Sequence, residues 1–398
     1  MEYQFASRTK KVTASEVREI LKVVARPEIM SFAGGLPAPE LFPVDEVSKQ
    51  CQAVLEEQGP KALQYATTEG YTPLREWIAN RLNTKWGTTA GIENVLIVSG
   101  SQSALDMISK LMLDDGDVVW CENPTYLAAL TAFRLLGPTF ETMPSDDNGV
   151  IVEGLEERIL QHKPRMVYVI PTFQNPSGRT WSMERRKAFM ELMTKYEIMV
   201  VEDNAYYELC FDDIEYCSLT KFDTKGLVIS VGSFSKVLCP GLRVAWINAN
   251  PTVIDKLVII KQSTDLQTAT LNQMVVHRFL THNDFDARVK LICDVYGARR
   301  DAMLDELAHS LPEGCTFTRP AGGMFVWVTM PECVNSKSLL DRCLKYNVAV
   351  VPGHSFYAVE PKHNTVRLNY SNLPPEKIHF GVSKVCQAIA EEIAEAEA

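Results

Sequence analysis

Apolar positions along this chain fall into two rhythms. Between about residues 90 and 250, short apolar runs recur: Val95-Leu-Ile-Val98, Val118-Val-Trp120, Met166-Val-Tyr-Val-Ile170, Ile198-Met-Val-Val201, Leu227-Val-Ile-Ser-Val231 and Val244-Ala-Trp-Ile-Asn248. Runs of this length, bounded by small and turn-forming residues, are buried strands. Between them the spacing becomes helical, as in Leu105, Ile108 and Leu111-Met112 behind the turn Ser99-Gly-Ser-Gln-Ser103. The alternation predicts an α/β fold with a mainly parallel central sheet and helices on both faces.

The flanks differ. Residues 13–25 read as an amphipathic helix, with Thr13-Ala-Ser-Glu16 as a capping box and Val17, Ile20, Leu21 and Val24 as its stripe, stopped by Pro27. The Gly/Pro-rich stretch 29–43 is either a connector or a backbone segment at Gly34-Gly35 that a substrate approaches closely. Helices are expected at 44–58 and from Thr72-Pro73, with Thr72 as N-cap and Leu74, Trp77, Ile78 and Leu82 on the buried face. A long helical pattern covers about 251–310. A smaller α/β unit follows, with strands near 324–329 and 365–370. The expected division is a covering segment over 1–40, a large domain over 41–285 and a small domain over 286–398.

Composition narrows the function classes. The 398 residues exceed one typical domain, and the 46% hydrophobic content suits a sizeable core. No membrane-length apolar run or signal pattern is visible, so a cytoplasmic location is expected. The ten cysteines are scattered without a C-x-x-C pair, and the seven histidines form no H-E-x-x-H pattern, so neither disulfides nor a catalytic metal are expected. A formal charge of −10 argues against nucleic acid as a partner.

Ligands of parallel sheets sit at the carboxyl ends of the strands, and that is where the chemistry-bearing residues cluster. Ser233, Ser235 and Lys236 follow one strand, with Arg243 seven residues beyond the lysine. A partly desolvated lysine there is a nucleophile, and the serines and arginine are phosphate donors, which together suggest a Schiff-base lysine beside a phosphorylated cofactor. Ser101 opens a small-residue strand-to-helix turn of the kind that seats phosphate. Tyr126 is either a ring-stacking aromatic or a helix-start residue. Asn175 sits between turn formers and can direct its amide into a cleft. Asp203 is either the partner of a pyridinium nitrogen or a helix N-cap. Arg367, alternating with Val366 and Leu368, is either a solvated edge residue or a carboxylate clamp.

With these residues placed, the chain resembles the class I/II aminotransferases that bind pyridoxal 5′-phosphate on fold type I, over roughly residues 10–390. The likeness is carried by Asn-Pro-x-Gly (175–178), Asp-x-x-Tyr (203–206) and Ser-Phe-Ser-Lys with its downstream arginine (233–243). Ser31-Phe-Ala-Gly-Gly-Leu-Pro-Ala-Pro-Glu-Leu-Phe-Pro43 and Gly100-Ser-Gln-Ser-Ala-Leu-Asp106 resemble the 2-aminoadipate (LysN-type) and kynurenine aminotransferase branch. The resemblance implies ping-pong transfer of an amino group between an L-amino acid and a 2-oxo acid. It makes Lys236 the Schiff-base and proton-shuttling residue and Asp203 the pyridine-nitrogen partner. Tyr206 and Asn175 bond the phenolic oxygen, and Tyr126 stacks on the ring. Ser101, Gln102, Ser233, Ser235 and Arg243 hold the phosphate, joined by Tyr65 from the second subunit of a homodimer. Arg367 clamps the substrate carboxylate, with Asn175 assisting and Gly35 lining the site. Arg18 is either a reader of distal carboxylates or the solvated face of its helix.

Two other functions fit parts of the pattern. A lyase or decarboxylase on the same fold is disfavoured by the Arg367 clamp. An effector-sensing regulator is disfavoured by the net charge and by a pattern that starts within the first dozen residues.

Overall fold

The protein is described here from a computed structural model covering residues 3–12, 26 and 28–397. The helix expected over 13–25, with Arg18, lies outside the described residues. Seven strands form the central sheet: β1 (Val95–Val98), β2 (Val118–Cys121), β3 (Thr139–Thr142), β4 (Met166–Val169), β5 (Met199–Asp203), β6 (Val228–Ser233) and β7 (Ala245–Asn248). Their spatial order is β1-β7-β6-β5-β4-β2-β3. Neighbours pair in parallel except at β7, which runs antiparallel to both β6 and β1.

Alternation along the inner strands explains why both faces are covered. Met166 and Tyr168 enter a core with Leu105, Ile108 and Phe133, whereas Val167 and Val169 enter another with Phe189 and Met193. An apolar run with no polar face cannot meet water on either side, so helices pack on both.

A second, four-stranded antiparallel sheet follows, in the order Thr316–Phe317, Phe325–Thr329, Thr365–Asn369, Val351–Pro352. Arg367 lies on one of its two inner strands, paired with Trp327 on one side and Val351 on the other. That placement removes the solvated-edge reading. The Gly/Pro-rich stretch is no loose connector either. Met30–Ser31 pairs in parallel with Val348–Ala349, and the Phe32 carbonyl accepts a bond from Asn369 N–H at 2.9 Å.

Other expectations need correction. Thr72 is the first helical residue of Thr72–Arg81 and caps nothing; Tyr71 precedes it, and the Tyr71 carbonyl accepts from Leu74 and Arg75. The helix expected at 44–58 continues to Ala62 across a non-helical Gln58. Strands β5 and β6 extend farther than their apolar runs, so Asp203 and Ser233 end strands instead of following them. Strand β3 is an edge strand with no fully buried residue, and so carries no apolar run to betray it.

Candidate active site

The ends of β4, β5 and β6 converge with the inner strands of the smaller sheet. Asp203 is nearly fully buried, and its Oδ1 accepts from Ala205 N–H at 3.2 Å. Its Oδ2 accepts from the hydroxyl of Tyr168 at 2.9 Å. Burial pushes its carboxyl up to about 6, against the pull of Tyr168, the Ala205 amide and Lys236. Lys236 is half-buried, and its Nζ donates to the Gly35 carbonyl at 2.8 Å. The same nitrogen lies 5.8 Å from the centre of the Tyr206 ring. Desolvation, followed by the charges of Arg367 and Arg243, lowers the amine to about 8, while Asp203 opposes the shift.

A chain of bonds leads from here to the smaller sheet. Asn175 Nδ2 donates to Tyr206 Oη at 3.3 Å, and Arg367 Nη1 donates to Asn175 Oδ1 at 2.9 Å. Arg367 Nη2 donates to the Ala33 carbonyl at 2.9 Å. The guanidinium is held between aromatic rings, with its Cζ 4.3 Å from the centre of Phe325 and 4.8 Å from that of Phe356. It is buried, its pKa is lowered to about 10 by desolvation, and its Nε has no partner among the described residues. Gly35 fits against this pair: a Cβ there would stand 3.3 Å from Phe325 and 4.0 Å from Arg367.

A polar cup forms beside the lysine. Ser233 Oγ donates to Ser235 Oγ at 2.8 Å and accepts from Ser235 N–H at 3.0 Å. Arg243 adopts a left-handed backbone (φ 52°) after the Pro240–Leu242 turn, and its Nη2 reaches the Ser99 carbonyl at 3.4 Å. Gly100 has φ 89°, and a Cβ there would collide with Arg243 Nη2, so only glycine permits this approach. Ser101 opens the helix Ser101–Met112 immediately after it. Tyr126 precedes the helix Leu127–Arg134, and burial pushes its hydroxyl up to about 12.

Two expected residues do not join the cluster. The Gln102 amide turns away to donate to the Ala128 carbonyl at 3.1 Å. Tyr65 is 77% exposed on a loop tied down through the Gln64 carbonyl, which accepts from Thr270 Oγ1 at 3.2 Å.

Three supporting features escaped the sequence reading. Tyr168 looks like one more apolar strand residue, although a hydroxyl in a buried run needs a partner. Glu122 is buried just past β2, where Oε2 accepts from Ile170 N–H at 2.8 Å and Oε1 from Trp181 Nε1 at 3.0 Å. Desolvation raises its carboxyl to about 7, and its bonds brace the start of the loop carrying Asn175. Phe325 and Phe356, the walls around Arg367, had no signal beyond apolarity.

Sheet order, a single antiparallel strand beside β1, and a lysine in the turn between β6 and β7 are the marks of a fold-type I pyridoxal-phosphate enzyme. The chain belongs to the aminotransferase class I and II family, whose model matches residues 29–385. It is 44% identical to the 2-aminoadipate transaminase of Thermus thermophilus over 95% of this chain and 94% of that one. It is 42% identical to aromatic-amino-acid aminotransferase 1 of Thermococcus litoralis over 98% of this chain and 95% of that one. The crystal structure of LysN, an α-aminoadipate aminotransferase from Thermus thermophilus, complexed with N-(5′-phosphopyridoxyl)-L-leucine, superposes with a TM-score of 0.92. The identity there is 42%, covering 98% of each chain. The protein is therefore a transaminase that uses pyridoxal phosphate.

Proposed function

We propose that the cleft between the strand ends and the smaller sheet transfers amino groups between 2-oxoglutarate and L-amino acids with acidic, aromatic or branched side chains. The observation that carries this reading is the buried chain Arg367–Asn175–Tyr206 ending beside the Lys236 amine. An α-carboxylate and an α-amino group are a short, fixed distance apart, and the chain offers a cation for one and a reactive nitrogen for the other. The substrate range is drawn from the relatives, named for 2-aminoadipate and for aromatic amino acids.

The residues present fit pyridoxal phosphate. The side-chain-free Gly100 leaves Arg243 and the first helical amides of Ser101–Met112 facing one space, which suits a dianion. Asp203, buried with one oxygen held by Tyr168, suits a pyridinium nitrogen. Bound there, the cofactor supplies the electron sink that allows an amino acid to lose its Cα proton.

The protein's own groups do the rest. Arg367 has a buried Nε without a partner among the described residues and an aromatic wall on either side, so it is desolvated and aimed before a carboxylate arrives. Lys236 Nζ, poised at about 8, accepts a proton in one half of the reaction and returns it in the other. Tyr206 and Asn175 would supply hydrogen-bond donors to the cofactor's phenolic oxygen, and Tyr126 would supply an aromatic face for its ring. Ser101, Gln102, Ser233, Ser235 and Arg243 bind the phosphate, the Gln102 amide leaving Ala128 to do so. Gly35 gives the substrate a bare backbone surface, and Arg18 meets distal carboxylates.

The exposed Tyr65 completes the phosphate cup of a second copy, making the working unit a homodimer with shared sites. Residues 1–40 serve as a cover, 41–285 as the cofactor-binding domain and 286–398 as the small domain. We place the enzyme in the cytoplasm, in keeping with its ten unbridged cysteines.

The test is an absorption spectrum of the purified protein before and after each of a panel of L-amino acids, with no oxo acid present. Conversion of the bound cofactor from its aldehyde to its amine form by acidic, aromatic or branched donors is expected. A bound cofactor that no donor converts would overturn the reading.

A further inference from the structure

Behind the Ser99–Gly100 turn lies an ion pair, buried at its lysine and partly exposed at its aspartate, that the chemistry above does not use. Lys261, in the helix Pro251–Thr264, has a fully buried side chain. Its Nζ donates to Asp265 Oδ1 at 2.6 Å and to Thr268 Oγ1 at 3.2 Å. The other oxygen of Asp265 accepts from Ser99 Oγ at 2.7 Å, and that hydroxyl lies 3.2 Å from Thr268 Oγ1. On the opposite side of the same residue, the Ser99 carbonyl accepts from Arg243 Nη2 at 3.4 Å. Ser99 is thus pinned from behind by its hydroxyl while its carbonyl contacts the arginine of the cup.

Stability alone is a poor reason for such a pair. Taking the Lys261 ammonium fully out of water costs much of what its carboxylate partner returns, and an apolar side chain of similar volume would serve the fold as well or better. What the pair does offer is direction. A carboxylate shared between an ammonium and a hydroxyl fixes that hydroxyl in one place, and Ser99 is the residue immediately before the positive-φ Gly100.

We propose that Lys261 and Asp265 are positioning residues for the cofactor phosphate. They hold Ser99, and through it the Gly100 turn, the first amides of the following helix and the Arg243 guanidinium, at the spacing a phosphate dianion needs. The proposal rests on the cofactor site described above and extends it to residues that touch neither cofactor nor substrate.

The experiment separates phosphate from ring. Apoprotein is titrated with pyridoxal phosphate and, in parallel, with pyridoxal, which keeps the ring and aldehyde but lacks the phosphate. Lys261→Met and Ser99→Ala are each expected to weaken pyridoxal phosphate about tenfold, the loss of one hydrogen bond to a charged group, and to leave pyridoxal unchanged. Equal weakening of both ligands, or of neither, would overturn the assignment, since a merely structural role cannot distinguish them. Should Lys261→Met fail to fold, Ser99→Ala decides by the same comparison, because it removes a single hydroxyl. A wild-type protein that takes up neither ligand overturns the cofactor site along with its support.

Discussion

The hydroxyl of Tyr168 and the carboxylate of Asp203 meet across two neighbouring strands at 2.9 Å. Tyr168 pairs with Val201 in the sheet register, so Asp203, two positions on, shares its face. The bond favours the ionised carboxylate, which burial otherwise disfavours. In Tyr168→Phe the carboxyl rises above about 6, and the pH below which pyridoxal phosphate affinity declines moves upward. Cofactor titrations at a series of pH values would show it; coincident profiles for the two proteins would refute it.

Asp203 also sets function against stability. Its folded-state pKa, about 6, stands above the ordinary 3.8, so the folded apoprotein binds that proton more tightly than the unfolded chain does. The contribution is present below the ordinary value and is lost as pH rises through the folded one. At pH 8 the cofactor-free protein therefore carries a penalty of roughly 2–3 kcal/mol at this residue. Asp203→Asn should melt higher than wild type as apoprotein at pH 8, and no differently at pH 4, while losing nearly all turnover. Thermal melts at both pH values check the sign.

Lys236, at about 8, becomes a nucleophile only as its proton leaves. The rate at which apoprotein takes up pyridoxal phosphate should climb with pH to about 8 and then level off. Lys236→Ala should keep the fold, form no borohydride-trapped adduct by mass and have no measurable transamination. Substantial turnover by that variant would sink the assignment.

Arg367→Lys tests whether shape as well as charge is used. A lysine cannot make the paired bonds to Asn175 and the Ala33 carbonyl or lie flat between Phe325 and Phe356. KM for amino acids should rise roughly 10- to 100-fold, with cofactor affinity unaltered. Steady-state kinetics beside a cofactor titration separates the two.

Arg18→Ala should raise KM for 2-aminoadipate and glutamate more than for leucine or phenylalanine. Equal changes in both groups would mean that this arginine does not read the side chain.

The positions legible in the sequence were those near strand ends, where an apolar run stops and chemistry begins: Asn175 and Lys236 lie past their strands, while Asp203 is the last residue of its own. Direction was not legible. Val244-Ala-Trp-Ile-Asn248 reads the same whether parallel or antiparallel, because the short return from β6 to β7 lies in the connection and not in the apolar pattern. Tyr168 and Glu122 were hidden for a related reason. Their roles come from partners on neighbouring strands or across the loop, 35 and 48 residues away in the chain respectively, and no local spacing records such a pairing. Arg367 had two readings until its strand acquired neighbours on both sides.

The place of β7 also bears on how the enzyme comes into being. Among the described residues strand β1 pairs with β7 alone, so its place in the sheet waits until residues 245–248 insert between it and β6. A chain emerging from the ribosome holds Ser99 and Gly100 long before it holds the strand that brings Arg243 to them. The polar cup is thus assembled late, by a contact that spans more than a third of the polypeptide.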